Sequence, residues 1–290
     1  MELNPKHLAL PEYAVEEINR CRGAIEPGMF GTGLIVDGNN VMYRLAFAAS
    51  KDVSNEHEML AVFVDRIKIV VKEVNADVVV CCIDSGVSLR RSMLGAKKKP
   101  DKTPEQQAVV DLAREALHLL RLQQYSTDKT WLNPRWQEGY EADDLCAAWA
   151  VSGHFVHSVL YSTDSDLFQV TNGSGITQLS PASGRFLTSD VPPELVPGVK
   201  ALAGDSSDNV IGVDKIGPVT ALKIMTGKTT VNLIPETELR VRNNLTLTTL
   251  PFPGAYQCLE GAPLLPVPRF NEFPETDADR LGLDSDPTPF

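Results

Sequence analysis

The stretch "ADVVVCCIDSG", Ala76 to Gly86, decides the fold class. A strand with one face in water alternates apolar and polar residues, whereas Val78 to Ile83 is apolar without a break. That pattern belongs to a strand buried on both faces, as in a parallel sheet. The run stops at Asp84, and Ser85-Gly86 supplies the turn. Two further stretches repeat the arrangement. "LIVDGNN" gives a short strand over Leu34–Val36 that ends at Asp37, and "FVHSVLYSTDSDLFQ" runs from a strand into Asp164 and Asp166. Between them, "EHEMLAVFVDRIKIVVKEV" places its apolar residues at helical spacing. "TPEQQAVVDLAREALHLLRL" opens with a Thr cap, Pro at the first helical position and then Glu, a strong helix start. Strands alternating with helices predict an α/β domain with a mainly parallel central sheet flanked by helices.

Outside that pattern the chain divides as follows. Residues 1–30 read as an N-terminal extension with one short helix around Glu12–Arg22, and the α/β domain occupies 31–195. Proline density rises over Val191–Pro197, and 196–245 then reads as a small unit of short helices and turns. From 246 to 290 proline is frequent and periodicity disappears, which predicts an acidic, extended or disordered tail.

Of the 290 residues, 43% are hydrophobic and 22% charged, the balance of an ordinary globular protein with a sizeable core. No apolar run approaches the length of a membrane span, and the N-terminus lacks the basic start and apolar centre of a signal peptide. Five cysteines without a C-x-x-C pair predict a reduced, cytoplasmic protein with no disulfide frame or zinc site. The net charge of −11 argues superficially against nucleic acid, but its distribution matters more than its sum. Between Gly86 and Lys102, six basic residues (Arg90, Arg91, Lys97, Lys98, Lys99, Lys102) face one acid, Asp101. Such a strip suits a polyanion.

The acids fall where a site is expected. In open α/β sheets ligands bind beyond the carboxyl ends of the strands, and Asp37, Asp84 and the Asp164/Asp166 pair each follow a strand-like run. "GYEADDLCAAWA" adds Glu141, Asp143 and Asp144 at a helix N-terminus, where negative charge is tolerated. Singly each acid reads as a turn or cap residue; together they predict a metal centre. Oxygen ligands without a histidine cluster point to Mg²⁺ or Mn²⁺ rather than zinc. Two such ions about 4 Å apart can activate a water and stabilise the leaving oxygen of a phosphodiester.

Taken in order, "LIVDGNN", "VVVCCIDSG", the basic strip, "GYEADDL", "STDSDLFQ" and "GDSSDNVIGVDKIGPVTA" resemble the 5′-nuclease family of bacterial and phage 5′→3′ exonucleases and flap endonucleases. The resemblance spans about Leu34 to Met225. It implies a PIN-like nuclease domain with a helical arch near 86–105, followed by a helix-three-turn-helix module. It also implies that Asp37, Asp84, Glu141, Asp143, Asp144, Asp164, Asp166, Asp205 and Asp208 bind two divalent ions. The last two, from "GDSSDN", rest on the resemblance alone. It further makes Arg90 the arginine that meets the scissile phosphate, and Lys97 or Lys98 the lysine that stabilises transition-state charge. The tyrosine usual before that lysine is absent here, and "AKKKP" leaves the register open by one residue.

"GVDKIGPVTA" fits a glycine-bounded turn, Gly212 to Gly217, that opens a helix near Pro218 and holds a DNA phosphate on backbone N–H groups. The family often places K⁺ in this turn. Lys215 and Lys223, with Arg91 and Lys99 in the strip, would add phosphate contacts. The expected protein is therefore a divalent-metal-dependent, structure-selective 5′ nuclease. Its expected substrates are branched or nicked duplex DNA and RNA primers annealed to DNA, and it is expected to act as a stand-alone monomer in a bacterial cell or phage-infected host. Two rivals are a non-catalytic structure-specific DNA-binding protein of the same fold and a PIN-type ribonuclease acting on single-stranded RNA.

Overall fold

The computed structural model describes residues 10–49, 52–94, 102–125, 130–260 and 263–268. Its centre is a sheet of order β3-β2-β1-β4-β5-β6, built from β1 (Phe30–Asp37), β2 (Val78–Cys82), β3 (Pro134–Arg135), β4 (Phe155–Tyr161), β5 (Ile176–Leu179) and β6 (Phe186–Leu187). All neighbouring pairs run parallel except β5 with β6. Strand order reverses between β1 and β4, so the crevice at their carboxyl ends is the place where such sheets bind ligands.

The unbroken apolar runs are explained by what covers each face. Ile35, Val78, Val80, Cys82 and Leu160 point into one core, shared with α1 (Glu12–Ala24) and α6 (Ala142–Val151). Leu34, Val36, Val79, Cys81 and Tyr161 point into the other, shared with α2 (Gly38–Ala49), α3 (Glu56–Val74) and α5 (Pro104–Tyr125). Every residue of β2 is buried because neither face meets water.

The helices begin where their caps dictate. Asn55 accepts hydrogen bonds from the backbone N–H of His57 and Glu58 at the head of α3, which ends at Asn75 in the left-handed conformation. At the head of α5, Thr103 Oγ1 accepts from Gln106 N–H and Gln106 Oε1 accepts from Thr103 N–H, a reciprocal capping box. The basic strip forms α4 (Leu89–Met93) before the chain passes through 95–101, so Lys97, Lys98 and Lys99 lie outside the described residues.

A small helical unit follows the sheet. α7 (Val196–Ala203), α8 (Pro218–Met225) and α9 (Pro235–Thr248) enclose their own core of Leu202, Ala221, Ile224, Val241 and Leu245. The loop from α7 to α8 folds back on the end of α7. Gly204 sits at φ +82°, and a β-carbon there would come within 2.6 Å of the Gly212 nitrogen, so this crossing requires glycine. Asn244 on α9 ties it down by donating to the carbonyls of Ala201 and Ile211.

Two expectations need correction. The chain from Thr246 is not an extended tail over its first part: α9 continues to Thr248, and Leu250, Phe252, Ala255, Cys258 and Leu259 are buried in the core that α6 shares. Spaced apolar residues among prolines can fill a core without any helical or strand period. Residues 263–268 also pack back, with Val267 N–H donating to Asp77 O and Leu265 N–H to Asn133 Oδ1. Likewise α1 is no appendage. It buries Ala14, Glu17 and Cys21, and Glu17 accepts a hydrogen bond from Tyr256 N–H. Residues 1–9 and 269–290, the outer parts of both predicted segments, lie outside the described residues.

Candidate metal centre and active site

The carboxylates collect at the carboxyl edge of the sheet. β1 delivers Asp37 at its last position, which is 5% exposed and accepts from Asn40 N–H (3.0 Å) and Ser162 Oγ–H (2.8 Å). Beyond β2, Asp84 caps the neighbouring helix: its Oδ1 accepts from Ala142 N–H, the first residue of α6, at 2.7 Å. Its own N–H is held by Asn39 Oδ1, and its carbonyl accepts from Arg121, whose guanidinium also lies over the Trp136 ring. Beyond β4, Asp164 caps the 3₁₀ turn Ser165–Val170 by accepting from Asp166 N–H.

Glu141, Asp143 and Asp144 occupy the first turn of α6 as predicted from "EADD". Asp144 is fixed from outside the helix by Phe252 N–H (3.0 Å). Asp205 and Asp208 come from the loop after α7, where Asp205 accepts from Ser207 N–H. Among the described residues, three groups of acids have ligand atoms within 4.8 Å of one another: Glu141/Asp143/Asp144, Asp143/Asp164/Asp166 and Asp166/Asp205/Asp208. Asp143 and Asp166 each belong to two groups, so seven acids form one continuous band. Asp37 and Asp84 adjoin it, and the charges of Asp164 and Asp84 both raise the cost of ionising Asp37.

Electrostatics mark the band as a place that needs cations. Burial first, and then the negative charge of Asp164 and Asp84, pushes Asp37 up to about 7. Burial with the charge of Asp164 pushes Asp166 to about 7, although Lys200 works against it. Asp143 and Asp144 are also raised by burial, with Arg90 partly offsetting the rise. Glu141 goes the other way, because Arg90 and Arg91 together outweigh its burial. Asp205 is held at about 2, since bonds from Lys200 and Ser207 outweigh its burial.

Three basic side chains answer these charges. The Arg90 guanidinium lies 3.1 to 3.4 Å from Glu141, Asp143 and Asp144, and its other nitrogen donates to the carbonyls of Leu247 and Thr249. Arg91 bridges Glu141 (3.1 Å) to Asp208 (2.8 Å), and so joins α4, α6 and the loop after α7. Lys200, on α7, contacts both Asp166 and Asp205, the latter at 2.8 Å. Nothing in the local sequence marks Lys200 as a site residue. It follows no strand and sits in no motif, and the only signal was its position one helical turn before "GDSSDN". The resemblance puts Arg90 against a phosphate; here its side chain is 3% exposed and faces carboxylates, while Arg91 is the more open of the two.

The glycine-bounded loop stands apart from the acids. Gly212 to Gly217 line an open hollow with Ala203, Lys215 adopts φ +65°, and Gly217 caps α8. Lys215 is exposed beside the α8 N-terminus, whereas Lys223 is exposed in the last turn of that helix.

The donor set is all oxygen, with carboxylates converging in threes, which fits divalent cations that take oxygen ligands. The sequence carries the same signature at family level: residues 32–191 match the sequence model described as "5'-3' exonuclease, N-terminal resolvase-like domain". The chain belongs to this 5′–3′ exonuclease family. Its relatives include the 5'-3' exonuclease of Aquifex aeolicus, 27% identical over 206 residues, a match covering 66% of this chain and 68% of that one. The thermostable DNA polymerase I of Thermus filiformis is 30% identical over 207 residues, but the match spans only 23% of that longer protein. Among solved structures, the bacteriophage T5 flap endonuclease in a pseudo-enzyme-product complex with DNA and metal ions superposes with a TM-score of 0.61 at 22% identity, covering 76% of this chain and 89% of that one. The T5 5'-exonuclease with zinc ions bound superposes with a TM-score of 0.58 at 20% identity, covering 76% and 90%. These likenesses give the exonuclease-family chain a PIN-like fold. Among the described residues, no helix is long and apolar enough to cross a membrane.

Proposed function

We propose that this chain is a divalent-metal-dependent, structure-selective 5′ nuclease that hydrolyses phosphodiester bonds of DNA at flaps, nicks and 5′ ends. RNA primers annealed to DNA are a second substrate of the same kind, in replication and repair within the bacterial or phage-infected cytoplasm. The observation that carries this reading is the band of seven carboxylates at the switch point of the sheet. A band of that length suits two ions rather than one, with Mg²⁺ or Mn²⁺ as the hard cations that prefer such oxygens. Bound there, they would lower the pKa of water and stabilise the leaving oxygen.

The chain's own groups then have distinct tasks. Asp143 and Asp166, shared between neighbouring groups, hold the two halves of the site in register. Asn40, Ser162 and Asp84's bond to α6 keep the first acids fixed against the sheet. Arg91 and the lysines at 97–99 are assigned the incoming phosphates, with Lys97 or Lys98 as the charge-stabilising group. The loop Gly212–Gly217, as the turn of a helix-three-turn-helix module, and the α8 N-terminus hold a backbone phosphate downstream, with K⁺ in the turn and Lys215 beside it. Lys223 adds a contact further along the same helix. The protein works as a monomer.

The test is cleavage of a 5′-labelled flap, a nicked duplex and a single-stranded RNA, each with Mg²⁺ and with chelator. The expected result is metal-dependent cleavage of the flap and the nicked duplex, abolished by chelator. Failure to cleave either DNA with metal present rejects the proposal, and preference for the single-stranded RNA favours the ribonuclease. Outer-shell changes at metal sites cost about 10–100-fold, so Asp143→Ala, which removes a shared acid, should lower the cleavage rate by more than that while DNA binding persists. Normal cleavage by this variant would reduce the "EADD" cluster to a helix cap.

A further inference from the structure

Two of the three basic side chains inside the acid band, Arg90 and Lys200, differ in how firmly they are held; the third, Arg91, holds Asp208 at 2.8 Å. Arg90 is anchored twice over: one nitrogen meets the three acids of α6, and the other donates to the carbonyls of Leu247 and Thr249. It is 3% exposed, and Phe252 lies against it with the guanidinium 5.9 Å from the ring centre. A planar fork held on both sides stays in place. Lys200 has no such anchor. Its ammonium rests on Asp166 and Asp205, with Ser165 Oγ at 2.9 Å as a further contact. A compact charge on a four-carbon stem can swing out by rotating single bonds.

The position of that ammonium matters. Asp166, Asp205 and Asp208 converge within 4.8 Å, and Lys200 takes two of the three. A cation bound by this group draws on Asp166 and Asp205, the two carboxylates that Lys200 now contacts. By contrast, of Asp143, Asp164 and Asp166, Lys200 contacts only Asp166.

We propose that Lys200 is a resident counter-ion of the Asp166–Asp205–Asp208 group, which must withdraw before a divalent cation is bound there. This rests on reading the acid band as a metal centre. In the metal-free protein Lys200 neutralises Asp205 and the buried Asp166, whose charge would otherwise be costly to keep. In the loaded protein it is displaced. The site is thereby kept folded without metal, and one of its two ions is bound more weakly than the ligands alone would allow.

The consequence has an unusual sign. Removing a positive charge close to a cation site should tighten one of the two binding events, by about tenfold or more, while lowering the melting temperature in chelator. The experiment is Mn²⁺ titration of the full chain by calorimetry and by counting bound ions, comparing wild type, Lys200→Met and Lys200→Arg. The expected result is two ions in every form, one of them bound at least tenfold more tightly by Lys200→Met, with the weaker affinity restored by Lys200→Arg. Equal or weaker binding by Lys200→Met overturns the proposal. Absence of Mn²⁺ binding in all three forms rejects the metal centre itself, and the proposal with it. A measurement on the wild type does not depend on the variants folding. Acylation of Lys200 by a water-soluble active ester, followed by mass spectrometry, should rise severalfold on adding Mg²⁺ in place of chelator. Unchanged protection of Lys200 in saturating Mg²⁺ overturns the displacement.

Discussion

At the scale of single residues, the site is defined by acids that resist ionisation. Asp37 and Asp166 stand at about 7, above the ordinary 3.8, because burial and neighbouring carboxylates oppose their charge. Between pH 4 and 7 the folded, metal-free protein therefore holds protons that the unfolded chain has released. Stability must fall as pH rises through that window and level off above it. Asp205, held at about 2, acts in the opposite sense: its contribution is present above 3.8 and fades as pH drops towards 2. Urea unfolding in chelator should accordingly give a higher midpoint near pH 5 than near pH 8, and saturating Mg²⁺ should remove or reverse that difference. A midpoint in chelator that rises steadily from pH 5 to pH 8 would mean that these acids are solvated. Most of these residues were evident from their place after apolar runs, since a strand that ends on an acid aims it at the sheet edge. Lys200 was not, because a lysine within a short helix carries no sign of what it will face.

At the scale of elements, α6 is the piece on which the site turns. Its first turn carries three acids and its remaining residues are buried, so the carboxylates are set by core packing rather than by a loose cap. The segment after α9 closes over it: Tyr140 donates to Pro253 O, Phe252 N–H to Asp144, and Gln169 accepts from Leu250 N–H. Truncating a buried phenylalanine costs about 3–5 kcal/mol, so Phe252→Ala should lose stability of that order in denaturant unfolding, an effect no disordered tail would show. Nothing in the sequence revealed this strap. Prolines and isolated apolar residues have no period, and only contact with α1 and α6 makes Leu250, Phe252 and Leu259 core residues.

At the scale of the whole molecule, the acid band crosses a boundary between two cores. Glu141 to Asp166 belong to the sheet and its helices, while Asp205 and Asp208 belong to the unit formed by α7, α8 and α9. A ligand that engages both should stabilise both. At a hundred times its dissociation constant, a cation adds about 2.7 kcal/mol. Hydrogen exchange should slow on adding Mg²⁺ not only in α6 but in α7 and the loop after it. Protection confined to the sheet would show that the two units load independently. Part of the net charge of −11 is gathered in this one band of acids.

By itself the sequence determined the parallel sheet, the strand ends and the acids that follow them, because burial on two faces and the turn after each strand are local patterns. It also carried the order of motifs that places the chain in its family. The tertiary structure alone decided which basic side chain faces which acid, that Arg90 also donates to backbone carbonyls, and that the proline-rich segment after α9 is core. Those facts depend on residues far apart in the chain meeting in space, such as Arg90 with Leu247 and Asp166 with Lys200. No local spacing encodes such a meeting.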